Sequence, residues 1–442
     1  MNGTGVPVVC AGGTAGVTPA IARPVVSRRA AMNLSELGGS APIRLLVFAS
    51  LYPNAVQPRH GIFVEERLRR LVKTGQVTAT VVAPVPWFPF RSSRFGAYAA
   101  FARVPAFEER HGIRVLHPRY PVIPKVGMHA APALMYRALL PMMRNLIASG
   151  GGFDLIDAHY FYPDGVVAAR LGETIGKPVV ITARGSDVNL IAQHRGPARK
   201  ITRAAARAAA IVTVSDALKG KVEALGAVPD KVVTLRNGVD LERFRPLDRA
   251  AIRAKLGVTG PVWLSVGHLI ELKGMHIAIA ALTGVPGVTL LVAGEGPDGG
   301  VLAQLAKRSG VADRVRFLGA VDHKALCDYY NAADALVLAS SREGMPNVVL
   351  ESLACGTPVL ATAVGGIPEL ITRPEAGELM RERTPEALVQ AWRALQARNV
   401  DRSLTRKFAE TLGWKPVVEA QCALYANVLT GSRGRAVTGA AP

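Results

Sequence analysis

Two glutamates, Glu343 and Glu351, stand eight positions apart in the stretch Ala335–Glu369, ALVLASSREGMPNVVLESLACGTPVLATAVGGIPE. The apolar run Ala335–Ala339 reads as a short strand that enters a polar loop holding Glu343. A Gly-Met-Pro-Asn turn follows, then a helix whose first turns carry Glu351. In an α/β protein the carboxyl end of such a strand opens onto a crevice. The following helix N-terminus offers unpaired N–H groups and a positive dipole to phosphate oxygens. Carboxylates facing that crevice accept hydrogen bonds from sugar or ribose hydroxyls. These residue types in this order suit a sugar carried on a diphosphate. Backbone N–H groups of Gly344, Met345, Asn347, Val348 and Val349 belong to the same turn; Pro346 has none to give.

Three further segments carry polar residues at the ends of apolar runs. In Ser265–Gly274, SVGHLIELKG, a strand ends at Gly267 and Lys273 precedes a helix, where its ammonium can reach phosphate oxygens as a point charge. His268 stands in the same loop. Asp157-Ala158-His159 and Ala183-Arg184-Gly185-Ser186-Asp187 each follow a strand and so point into one cleft. Asp187 reads either as part of that cleft or as the N-cap of a helix Val188–Gln193. Finally, Arg59-His60-Gly61 opens a helix over Ile62–Lys73, and Gly61 would let the backbone approach a ligand closely.

The elements that must position these residues alternate between strand and helix. Strands are predicted at Ile43–Ala49, Val77–Ala83, Ile113–Leu116, Leu155–Ala158, Pro178–Thr182 and Ile211–Val214, with Ser215 capping the next helix. A second series runs Val262–Val266, Thr289–Ala293, Arg314–Phe317, Ala335–Ala339 and Pro358–Ala361. Such alternation makes an α/β protein of doubly wound parallel sheets, and 442 residues suit two cores joined near Arg236–Gly257. The longest apolar candidate for a membrane span, around Ala130–Ile147, is interrupted by Pro132, Arg137, Pro141 and Arg144. Four scattered cysteines, Cys10, Cys327, Cys355 and Cys422, lack metal-ligand spacing and read as reduced thiols of a cytosolic protein. The net charge of +20 is concentrated in Ile43–Asp240, which suits an anionic lipid or polyanionic partner. No zinc-ligand pairs or aromatic-rich sheet signature point to nucleic acid. Residues 1–40 are expected to be a disordered extension, a poor secretory signal with Met32 as an alternative start.

From about Ile43 to about Leu429 these motifs, in this order, resemble the retaining glycosyltransferases of family 4, which have the two-domain GT-B fold. The resemblance implies two Rossmann-like domains facing across a cleft. The acceptor-side domain would span 41–240 and the nucleotide-sugar domain 241–403. A C-terminal helix over 404–430 would cross back to the first domain, followed by a disordered tail at 431–442. By the same resemblance Lys273, Glu343 and His268 are catalytic. Gly61, Gly267, Gly344, Met345, Asn347, Val348 and Glu351 would hold the donor, with Glu351 on the ribose and Glu343 on the transferred sugar. His159, Arg184 and Asp187 would line the acceptor side. Two departures stand out: the family usually has arginine where this chain has His268, and histidine where it has Arg184. The string PRHGIFVEERLR resembles a subgroup that builds cell-surface polysaccharides, such as teichuronic acid-type glycosyltransferases.

The reading is therefore a cytoplasmic enzyme, peripheral to the inner membrane face and needing no metal or cofactor. It would move a sugar from a UDP- or GDP-linked donor to a glycan or lipid-linked acceptor, with no nucleic acid partner. A nucleotide-sugar epimerase of the same fold and a catalytically silent nucleotide- or glycan-binding protein are the alternatives.

Overall fold

The computed structural model describes residues 41–92, 94, 96–122 and 127–438. The extension expected over 1–40 and the end of the expected tail, 439–442, lie outside the described residues.

Short runs of Val, Leu, Ile and Ala, apolar on both faces, build two sheets. The first has eight strands in the order Val232–Thr234, Ala210–Thr213, Val179–Ala183, Leu155–His159, Ile43–Phe48, Val77–Val82, Ile113–Leu116 and Phe107–Arg110. All neighbours are parallel except the last pair, where Phe107–Arg110 runs antiparallel at the edge. The second has six parallel strands, Val315–Gly319, Thr289–Ala293, Val262–Val266, Ala335–Leu338, Val359–Thr362 and Gly377–Met380. Helices cover both faces, so strands such as Val179–Ala183 and Val262–Val266 are buried throughout.

Each sheet has one point where the strand order reverses. In the first it falls between Ile43–Phe48 and Leu155–His159, in the second between Val262–Val266 and Ala335–Leu338. Ligands of open α/β sheets bind outside the carboxyl ends of strands at such switch points. Lys273 and Glu343 follow the two strands that flank the second one.

The expected C-terminal helix over 404–430 is two helices. Arg402–Glu410, capped by Asp401, stays on the second sheet's half, where Arg402 and Arg406 donate to the carbonyls of Ala333 and Ala354 at 2.8 Å each. The chain turns at Gly413, which bridges to Val239, and Trp414–Thr438 then crosses back to the first half. Val418, Cys422 and Tyr425 are buried in the same core as Leu45, Val64 and Leu68. This helix continues through 431–438, where a tail was expected. No helix of the described residues is long and apolar enough to cross a membrane.

Candidate active site

At the second switch point Lys273 Nζ lies 2.7 Å from Glu343 Oε1, and Ser340 Oγ donates to the same oxygen at 2.7 Å. The two strands thus deliver a cation and a carboxylate to one place, with Glu343 nearly buried and Lys273 about a quarter exposed. His268 stands exposed in the loop after Gly267, on the same edge. Gly344 follows Glu343 and is required by close approach. A Cβ there would stand 2.2 Å from the Arg184 carbonyl oxygen and 3.3 Å from the Gly185 Cα, both on the first half.

The helix Asn347–Ala354 begins beyond Met345 and Pro346, and its second turn carries Glu351 inward. Glu351 is 7% exposed and held from two sides. Tyr330 Oη donates to Oε2 at 2.8 Å, and His323 Nε2 lies 2.9 Å from Oε1. In the neutral ring His323 Nδ1 accepts from Arg243 Nη1 at 3.1 Å, with the ring hydrogen on Nε2, facing Glu351. The bond to Glu351 raises the imidazole above its ordinary pKa, against the opposing effect of burial. Of the first-turn amides, Val349 N–H is already spent on the Pro346 carbonyl at 3.2 Å and is not a ligand donor as expected.

The residues expected on the acceptor side form a buried chain. Tyr425 Oη donates to Asp157 Oδ2 at 2.8 Å, and the same oxygen takes His159 Nε2 at 3.1 Å. His159 Nδ1 accepts from Arg184 Nη2 at 2.9 Å, and Arg184 Nη1 donates to Asn237 Oδ1 at 3.3 Å. Asn237 Nδ2 then donates to Asn347 Oδ1 at 2.8 Å, reaching the donor-side helix. Burial holds His159 below the ordinary imidazole value and brings Arg184 down to about 9. Both His159 ring nitrogens are therefore occupied, by Asp157 and by Arg184, whose guanidinium it helps to position. Arg184 also lies over the Phe63 ring at 5.0 Å.

Asp187 is not an N-cap. The helix is Ser186–Asn189, and no side chain caps it. Instead the fully buried carboxylate accepts from the amides of Phe161 and Gly185 at 2.8 Å, Val188 at 3.1 Å and Arg184 at 3.2 Å. It fastens the Arg184–Gly185 loop to the loop after His159. Gly61 caps helix Ile62–Lys73 at φ 71°, and a Cβ would stand 2.1 Å from the Leu51 carbonyl oxygen. Its own chain thus demands glycine there, whatever the ligand.

Sequence reasoning missed His323, Tyr330 and Asn237. The signal for the first two was indirect: a carboxylate on an otherwise apolar helix face needs donors. The adjacent Tyr329 and Tyr330 leave that choice open until the helix Leu326–Ala332 is placed. Among the described residues no group of three or more His, Cys, Asp or Glu side chains is spaced to hold a metal ion.

Residues 98–243 match the family described as Glycosyltransferase Family 4, and residues 248–410 match Glycosyl transferases group 1. A Bacillus subtilis (strain 168) protein assigned to teichuronic acid biosynthesis as a glycosyltransferase, TuaC, is 31% identical over 85% of this chain and 92% of its own length. Among solved structures, sucrose-phosphate synthase from Thermosynechococcus elongatus superposes with a TM-score of 0.71 at 20% identity, covering 88% of this chain and all of that one. Anabaena HepE in complex with UDP gives 0.66 at 21% identity over 87% of this chain and all of HepE. At such identities these structures speak for the fold alone.

Proposed function

The chain belongs to the glycosyltransferases of family 4 and group 1, with the GT-B fold, and from that premise we propose a retaining, metal-independent transfer from a nucleotide diphosphate sugar. The observation that carries this reading is the Lys273–Glu343 pair, which follows the two strands flanking one switch point, together with the buried Glu351 on the next helix. The acceptor is a hydroxyl of a glycan or lipid-linked saccharide used in cell-surface polysaccharide synthesis, in keeping with the assignment of TuaC.

Donor diphosphate oxygens lie against Lys273 and the N-terminus of helix Asn347–Ala354, with His268 adding a hydrogen bond or a charge. Glu343 accepts from hydroxyls of the transferred sugar, and Glu351 from those of the ribose. The bond between the anomeric carbon and the phosphate oxygen breaks, and the acceptor oxygen bonds to that carbon on the same face. The acceptor proton leaves with the diphosphate, whose negative charge Lys273 stabilises as it develops. The reaction takes place on the cytoplasmic side, with the protein attached to the membrane through basic surface.

A panel of UDP- and GDP-sugars tests the reading, by thermal shift and then by nucleotide release with a lipid-linked saccharide acceptor in EDTA. A stabilising donor and acceptor-dependent release of nucleotide with the configuration kept are expected. Rearranged free sugar, or turnover restored only by Mn²⁺, would refute it.

A further inference from the structure

A concave aromatic lobe stands apart from the donor site. It leaves the first sheet at the carboxyl ends of Val77–Val82 and Ile113–Leu116, the edge from which His159 and Arg184 also emerge. Two short strands, Val85–Pro86 and Arg119–Tyr120, form its base, and Trp87 N–H donates to the Tyr120 carbonyl at 2.8 Å. Phe88 stacks against Phe90 and Tyr98 at centroid distances of 5.9 and 5.3 Å. Yet Trp87, Phe90 and Tyr98 remain 57%, 54% and 40% exposed, a concentration of aromatic surface.

The lobe forms an open pocket of about 450 Å³ lined by Trp87, Phe88, Pro89, Arg91, Ala102 and Arg119. That volume is in the range of small-molecule sites. Arg119 is anchored by donation to the Phe101 carbonyl at 2.6 Å and to the Val104 carbonyl, which leaves its charge facing the cavity beside Arg91. Burial and the neighbouring Arg91 both hold Arg119 below its ordinary value. Among the described residues no carboxylate lines the cavity, and the sequence Pro84–Phe107 contains three arginines and no acidic residue. Neither guanidinium has a carboxylate partner among the described residues, so the pair is matched by an anion, to which Arg91 offers a planar fork and Arg119 its charge. The exposed indole face beside them offers apolar area to the C–H face of a sugar ring.

We propose that this cavity is an acceptor subsite for an anionic saccharide, whose ring stacks on Trp87 and whose acid group is held by Arg91 and Arg119. The inference rests on the transferase reading and adds to it the charge of the acceptor. A concave, arginine-lined site favours a soluble saccharide over a bilayer, which meets a convex surface. The acid group is a carboxylate or a phosphate, and the experiment separates the two.

Full-length protein is titrated with trigalacturonate, glucose 6-phosphate, neutral maltotriose and inorganic phosphate, with heat and tryptophan fluorescence as readouts. Saturable millimolar binding of one or both anionic saccharides is expected, tighter than either control, and the stronger one names the acid group. Arg91→Gln should weaken it about tenfold or more, the usual loss for a charge-assisted bond. Trp87→Ala should weaken it and abolish the fluorescence change, while Trp87→Phe retains most of the binding. Equal affinity for maltotriose or for inorganic phosphate overturns the proposal, as does binding indifferent to Arg91→Gln and Trp87→Ala. Absence of saturable binding by both anionic saccharides, with phosphatidylglycerol vesicles engaging Trp87 instead, also overturns it. Donor binding on the same wild-type samples separates the two readings. Donor bound without saccharide refutes only the subsite, whereas no donor bound refutes the transferase.

Discussion

Lys273 and Glu343 neutralise each other at 2.7 Å, so each fixes the other's direction at the place where a sugar diphosphate would lie. Removing one transition-state charge partner costs roughly 10²–10³-fold in rate. Lys273→Ala and Glu343→Ala should each lose turnover on that scale while unfolding within about 1 kcal/mol of wild type, because the pair is partly solvated. Near wild-type turnover in either variant would displace the site. His323 acts one step further out, by orienting Glu351. With Glu351 on the donor ribose, as proposed, His323→Ala should raise donor KM several-fold with a smaller change in kcat, since such binding is shared by ground and transition states. The groups facing His323 are Glu351, Arg243 and, more distantly, Glu66, and its folded value lies above the ordinary 6.5. Its contribution to stability is therefore fully present below about pH 6.5 and lost as pH rises through the raised value. Chemical unfolding of wild type and His323→Gln between pH 5 and 9 checks the sign. A difference that widens toward high pH would mean that the imidazole is not paired with Glu351.

The elements that hold these residues are largely legible in the sequence, because strands buried on both faces are written as unbroken apolar runs. Val262–Val266, Thr289–Ala293 and Ile113–Leu116 match their expected bounds, and Ser215 caps its helix by accepting from Leu218 N–H at 3.2 Å. The edge strand Phe107–Arg110, with the polar sequence FEER, has no such run and pairs only because Ile113–Leu116 folds back on it. What the sequence hides most is partnership over distance. Arg67 looks like a surface cation on helix Ile62–Lys73, yet it is 1% exposed and donates to Gln421, which lies on the crossing helix. His159 likewise has both ring nitrogens engaged by distant residues, Asp157 being tied in turn to Tyr425 of the crossing helix. The loop after it supplies an element-scale prediction. Asp164, in Phe161–Gly165, accepts from Ser50 N–H at 3.2 Å and Ser50 Oγ at 2.8 Å, joining that loop to the end of Ile43–Phe48. Burial pushes its carboxyl from the ordinary 3.8 up to about 7. The folded state thus keeps a proton that the unfolded chain gives up, and stability falls as pH rises from about 4 to about 7. Asp164→Asn carries no charge to bury. It should gain on wild type across that window, by an amount of order a few kcal/mol at pH 8. Parallel urea midpoints from pH 4 to 8 would contradict this.

At the scale of the whole molecule the surplus of positive charge has to be divided between surface and interior. Helix Ile62–Lys73 carries Arg67, Arg69 and Arg70, but Arg67 is internal. Arg70 is bound to Glu66 and to Asp240, lies 5.0 Å from the Trp414 ring centroid, and is only 20% exposed. That helix packs against the returning chain, and its arginines are largely engaged in internal pairs. Helix Arg195–Arg207 is different: Arg195, Arg199, Arg203 and Arg207 recur every fourth residue and are all exposed, while Ile201, Ala204 and Ala205 face the core. Only Arg207 in this row has a carboxylate partner among the described residues, Glu173 at 3.1 Å. Arg137 and Arg144 are exposed on the helix Gly127–Ala148, which packs in the same layer. Each cation close to an anionic leaflet contributes about 1 kcal/mol, so three or four in a row suffice for reversible attachment. Vesicles containing phosphatidylglycerol should therefore sediment the protein at low salt and release it as ionic strength rises and the Debye length shrinks. Arg195→Gln, Arg199→Gln and Arg203→Gln together should abolish most of the binding, roughly a hundredfold, without affecting donor affinity. The same three changes on helix Ile62–Lys73 would confuse docking with unfolding, which is why the exposed row is the discriminating one. Equal recovery on neutral and anionic vesicles would leave this charge without a membrane role.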